Sequence, residues 1–70
     1  MWGMAGCHTF AEQLRELREA RGWSLRQLSK RVHISKASLS RYESGLQVPQ
    51  AASLVRLARV FRVRAEVLLG

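Results

Sequence analysis

Apolar side chains recur along this chain at helical intervals and nowhere at the strict two-residue alternation of a half-buried strand. Phe10, Leu14 and Leu17 fall at i, i+4 and i+7. Leu25, Leu28 and Val32 follow at i, i+3 and i+7, and Leu39 and Tyr42 lie three apart. Leu54, Leu57, Ala58 and Phe61 repeat at i, i+3, i+4 and i+7, and Ala65, Leu68 and Leu69 close the series after a connector at Val63. Between these stripes the residues are charged or polar, as on Glu12, Arg15, Glu16, Arg18 and Glu19 in the first segment. Such stripes bury one face of each helix and leave the other in water. The pattern predicts an all-α chain of five helices with no internal repeat.

The helix ends are marked by residues with specific chemistry. Thr9 with Glu12 three positions on makes a T-x-x-E capping box, in which each side chain satisfies a backbone N–H of the other. Gly22 supplies the left-handed conformation that ends the first helix near Arg21, with Trp23 next as an apolar plug. Ser24 caps the second helix and Ser35 the third, across a turn at His33-Ile34. Gly45 ends the third. Leu46 to Pro49 form a loop, and Pro49 is expected in the first turn of the fourth helix, where its missing N–H is harmless. Residues 1–8 (MWGMAGCH) have no helical period and read as a flexible leader to a domain spanning 9–70.

Seventy residues make one small domain, whose core must be compact because only about 60% of its unfolded surface can be buried. Cys7 is the only cysteine, so no disulfide within the chain can help. A lone cysteine fits a reducing, cytoplasmic setting. Cys7 and His8 lack a second pair at a zinc-ligand spacing, so no metal is expected. No cofactor is expected either, because there is no Gly-rich phosphate loop. Nor is there a triad spacing or a carboxylate pair outside the arginine-rich first helix, so no enzyme is expected. No apolar run is long enough to span a bilayer and no signal peptide is recognisable, so no membrane association is expected.

Charge changes the picture more. Twelve Lys and Arg against five Asp and Glu give a formal +7, which points to a polyanionic partner, nucleic acid ahead of an anionic membrane surface. The basic residues include Lys36 and Arg41 on the third helix, directly behind a tight turn. A helix can enter the major groove of DNA when its inner side is anchored and its outer side stays polar. Leu28, Val32, Ile34, Leu39 and Tyr42 supply the anchors; Lys36, Ser40 and Arg41 supply the polar side. Ala37, small and in the first turn, can meet a thymine methyl, while Arg41 can make a bidentate contact with guanine or grip a phosphate. Ser38 and Ser44 can hydrogen-bond to phosphates. For Arg15, Arg21, Arg26, Lys30 and Arg31, phosphate clamping and simple solubilisation stand side by side. Along the last third, Arg56, Arg59, Arg62 and Arg64 read first as a solvated face.

The linked set LRELREARGWSLRQLSKRVHISKASLSRYESG, then VP, then LVRLARVFRVRAEVLL resembles the phage-repressor and Cro type of helix-turn-helix domain, the XRE family. The resemblance covers Phe10 to Leu69. It implies a compact five-helix bundle of the lambda-repressor-like type that binds double-stranded DNA and acts as a transcriptional regulator, a repressor first. It further implies that Lys36, Ala37 and Arg41 read bases and that Ser38 and Ser44 contact phosphates, with Ser40 and Arg26 beside them. By the same resemblance, Arg18 and Glu43 form a partly buried ion pair joining the first and third helices. A homodimer on a palindromic site is implied as well, with half-sites about one helical turn apart.

This chain departs from the family pattern at a few positions. Leu25 stands where many members carry a Gln that contacts the DNA backbone, so Arg26 is the expected substitute. Ser29 replaces a common Ala and is small enough for the helix crossing. His33 replaces a common Gly at a turn position that often needs positive φ, which His tolerates better than a β-branched residue. Arg62 and Arg64 replace the usual Gly and Ser before the last helix, weakening its caps and raising local charge. The alternative to DNA binding is a protein-interaction module, or antitoxin-like partner, on the same fold.

Overall fold

The computed structural model describes residues 9–69, and within them five α-helices and no strand. The expected leader, with Cys7 and His8, lies outside the described residues. The helices are α1 (Phe10–Ala20), α2 (Leu25–Val32), α3 (Lys36–Ser44), α4 (Ala51–Phe61) and α5 (Ala65–Leu69). Among the described residues, no helix is long and apolar enough to cross a membrane.

Each helix starts and stops where local chemistry dictates. At α1 the Thr9–Glu12 box is complete: Thr9 Oγ1 accepts from the Glu12 N–H at 3.2 Å, and the Glu12 carboxylate accepts from the Thr9 N–H at 3.1 Å. Ser24 and Gln27 form an equivalent S-x-x-Q box at α2, at 3.1 and 2.8 Å. At the other ends, three helices close with the same paired hydrogen bonds. After α1, Gly22 N–H donates to Glu19 O and Trp23 N–H to Arg18 O. After α3 the pair is Gly45 to Tyr42 O and Leu46 to Arg41 O; after α4 it is Arg62 to Arg59 O and Val63 to Ala58 O. This 6→1, 5→2 closure needs a left-handed residue in the middle. Gly22, Gly45 and, against the usual steric preference, Arg62 supply it at φ 69°, 77° and 58°.

Pro49 does not open α4. The helix begins at Ala51, with Gln50 as an extended N-cap that makes no side-chain cap bond. Neither Val48 nor Gln50 is a good capping residue, so the local sequence offers no strong start signal. The start follows instead from where Leu57, Ala58 and Phe61 must be placed to reach the core.

The stripes read from the sequence converge on one core. Leu14, Leu28, Leu39, Leu57, Phe61 and Leu68 are fully buried, and Val32, Ile34, Tyr42 and Ala58 nearly so. Phe10, Leu17, Trp23, Leu25 and Leu54 pack around them, partly covered. Helix α1 packs on α3 and α5, α2 on α3 and α4, and α4 on α5. As a result α3 is gripped along its inner side by α1 and α2 together.

Candidate nucleic-acid interface

The turn between α2 and α3 sets the angle of α3, and several hydrogen bonds define it. His33 adopts φ 59°, ψ 39°, and its N–H donates to Ser29 O at 2.9 Å. The Ser29 hydroxyl donates to Ile34 O at 2.6 Å, so this serine bridges the last turn of α2 to the residue that plugs the corner. From α4, the Arg56 guanidinium donates to His33 O at 3.4 Å. Ser35 then caps α3: its Oγ accepts from the Ser38 N–H at 3.1 Å and donates to the Ser38 hydroxyl at 3.0 Å.

The inner side of α3 consists of Leu39, Tyr42 and Glu43. Tyr42 meets Phe10 of α1 edge-on, centroids 6.1 Å apart and planes at 74°. Glu43 receives Arg18 of α1 in a bidentate pair, Nε to Oε2 at 2.7 Å and Nη2 to Oε1 at 3.0 Å. The third donor of Arg18, Nη1, reaches Trp23 O at 2.7 Å and so also holds the α1–α2 turn. The side chains are only 15% and 7% exposed. The hydrogen bond to Glu43 holds the Arg18 guanidinium above its ordinary pKa, against the opposing effect of burial. Arg15 is peripheral to this pair, 3.9 Å from Glu43 and more than half exposed.

Turning Glu43 inward has a consequence for the outer side. It is the only carboxylate on α3, so the solvent face carries only Lys36, Ala37, Ser40, Arg41 and Ser44, all exposed. Ala37, Arg41 and Ser44 lie opposite Leu39 at helical spacing, with Lys36 and Ser40 along one flank. Ser38 is on the other flank, half-buried, its oxygen accepting from Ser35 and its own O–H free to donate outward. Arg26 is exposed on α2, whereas Leu25 beside it packs toward the core. Both α2 and α3 begin with a cation in the first turn and no acid there. A cation at a helix N-terminus opposes the macrodipole by about 0.3–1 kcal/mol, so helix stability does not account for Lys36 or Arg26. An anion approaching those ends would meet free amides, the positive dipole ends and the cations together.

Two arginines that read as clamps or solubilising charges are seated on aromatic rings. Arg31 lies over the Trp23 ring at 4.3 Å and Arg21 over the Phe61 ring at 5.1 Å, while Trp23 and Phe61 stack 5.8 Å apart. The pattern of polar positions could not show this, because the aromatic pair joins residues 38 positions apart. The S-x-x-Q box at Ser24 was visible in the sequence by the same rule that identified Thr9 and Glu12.

Comparison with known proteins agrees with this architecture. The family model described as "Helix-turn-helix domain" matches residues 9–69, and the chain belongs to that family. Similar proteins include the uncharacterized HTH-type transcriptional regulator YobD of Bacillus subtilis, 34% identical over 61 residues, covering 87% of this chain and 54% of YobD. The HTH-type transcriptional repressor RghR of the same organism is 39% identical over 62 residues, 87% of this chain and 46% of RghR. The HTH-type transcriptional activator BcrR of Enterococcus faecalis is 32% identical over 61 residues, 87% of this chain and 30% of BcrR. The chain thus spans about half the length, or less, of these curated relatives.

Proposed function

We propose that this domain binds double-stranded DNA by inserting α3 into the major groove and acts in transcriptional regulation, without catalysis of its own. The observation that carries this reading is the sorting of charge on α3. Its one carboxylate is buried against Arg18, and its exposed face holds only cations, hydroxyls and a methyl. Lys36, Ala37 and Arg41 are the base-reading positions; Ser38, Ser40, Ser44 and Arg26 contact the backbone. Arg26 supplies the backbone contact that Leu25, turned toward the core, does not make.

The resemblance to the phage-repressor type adds a homodimer on a palindromic site in the cytoplasm. Exposed Leu46, Val48, Val55 and Val67 are apolar surface available to such an interface. One relative is named a repressor and another an activator, and the resemblance to phage repressors puts repression first.

The test begins with enrichment of sites from random duplexes, followed by fluorescence anisotropy across a salt series. Affinity is expected to fall with salt at a slope of about −0.9 per neutralised phosphate in a log–log plot. Salt-insensitive binding, or no duplex enriched, would favour the protein-interaction module instead.

A further inference from the structure

Away from the outer face of α3, the C-terminal ends of three helices meet around an open notch of about 590 Å³. Arg21 caps α1, Arg31 stands on the last turn of α2, Arg59 on the last turn of α4, and Arg62 caps α4. Trp23 and Val60 complete the wall; no carboxylate and no residue of α3 line it.

Helix C-termini attract cations, and Arg21 does serve that purpose. It donates to Leu17 O at 3.3 Å and to Phe61 O, tying the end of α1 to the end of α4. Magnitude separates this from the rest. Each helix end carries about half a negative charge, so three ends offset about one and a half of four guanidinium charges. Among the described residues, no hydrogen bond or ion pair engages the guanidinium of Arg31, Arg59 or Arg62. Arg62 moreover occupies a left-handed position at φ 58°, which costs a side chain about 1 kcal/mol relative to glycine, so stability does not explain an arginine there.

The aromatic pair makes the notch more than a loose set of charges. Stacking fixes Arg31 over Trp23 and Arg21 over Phe61 while leaving the in-plane N–H donors of Arg31 unused. With Trp23 covered by Arg31 and Phe61, the notch offers charge and N–H forks but little free aromatic surface. The volume exceeds what a single phosphate fills. We infer that this notch is a second anion site, for the linked phosphates of a small polyphosphate-bearing ligand, separate from the DNA-facing surface. Two or three linked phosphoryl groups would be held bidentately by Arg31, Arg59 and Arg62 over the anchored Arg21.

The experiment is a titration of the full chain with inorganic tripolyphosphate at fixed ionic strength, followed by NMR of backbone amides, arginine Nε–H and the Trp23 indole. Saturable shifts centred on Trp23, Arg31, Arg59 and Arg62 are expected. Replacing Arg59→Gln with Arg62→Gly should weaken binding about tenfold, the loss of two exposed charge contacts. Arg15→Gln with Arg64→Gln, an equal change in charge outside the notch, should leave affinity within about twofold. A nucleoside triphosphate binding as tightly as tripolyphosphate would place recognition on the phosphates and support the site. The inference is overturned by the absence of saturable shifts, by shifts centred on α3, by equal losses in the two double variants, or by citrate binding as well as tripolyphosphate. Should the Arg59→Gln, Arg62→Gly variant unfold, the shift map of the unaltered chain decides alone. Because the readout is independent of DNA, a failure here leaves the reading of α3 untouched, and the reverse holds too.

Discussion

The ion pair between Arg18 and Glu43 offers the most direct check on how α3 is held. Arg18→Met keeps the aliphatic bulk of the side chain and removes its charge. Glu43, only 7% exposed, then loses both of its short hydrogen bonds, and Trp23 O loses a third. Breaking a buried pair from one side costs about 3–5 kcal/mol. Arg18 retains 15% exposure and Arg15 stands 3.9 Å from Glu43, so water and a swing of Arg15 relieve part of this loss. A destabilisation of about 2–4 kcal/mol is expected. In a domain of this size each kcal/mol lowers the melting temperature by about 4–8 °C, which puts the shift at about 8–30 °C. Arg15→Met, removing a distant and mostly exposed charge, should cost under about 1 kcal/mol. The assay is thermal unfolding by circular dichroism for both single variants, with Arg18→Met, Glu43→Leu as the closing corner. Removing both charges should recover much of the loss, since no unpaired carboxylate is left in the core. Equal melting temperatures for Arg18→Met and Arg15→Met would refute the reasoning, as would a double variant less stable than the unaltered protein by the full sum of the Arg18→Met and Glu43→Leu effects measured singly.

Other consequences are smaller and local. His33→Gly should stabilise the domain by about 0.5–1 kcal/mol by relieving the positive φ, and His33→Val should destabilise it by at least as much; urea midpoints at constant m-value measure both. Ser35→Ala removes the side-chain cap of α3 and should cost about 1 kcal/mol in the same assay, with a parallel loss of amide protection in the first turn of α3. Ser29→Ala leaves Ile34 O without its 2.6 Å donor and should cost about 1 kcal/mol, more than the helix propensity of alanine returns. On DNA, Arg41→Ala should lose about 1–3 kcal/mol and relax specificity at one base position. Arg26→Ala should weaken all sequences alike and lower the salt slope by about one; identical specificity profiles for the two variants would show that Arg41 reads no base.

The sequence alone determined the parts of this protein that depend on near neighbours. Helix stripes have a period of three to four residues, and caps act over three, so the five helices and most of their ends were legible from Thr9 and Glu12, Gly22, Ser24, Ser35 and Gly45. The left-handed turn at His33 was legible only through the family resemblance, which places a glycine there; histidine by itself does not call for positive φ. Local chemistry failed where it was ambiguous: around Pro49 no residue makes a strong cap, and the start of α4 follows from packing at Leu57 and Phe61. The Arg18–Glu43 pair could be named from family resemblance but not from spacing, since 25 positions separate its members. Whether α3 presents its carboxylate outward or buries it is a matter of how α1 lies across α3. The same holds for Arg21, whose seat on the Phe61 ring exists only once the end of α4 is brought to the end of α1. Charge in this chain was countable from composition; which charges are spent on structure and which remain for a partner was decided by the tertiary contacts, because only burial and a fixed neighbour distinguish one arginine from another.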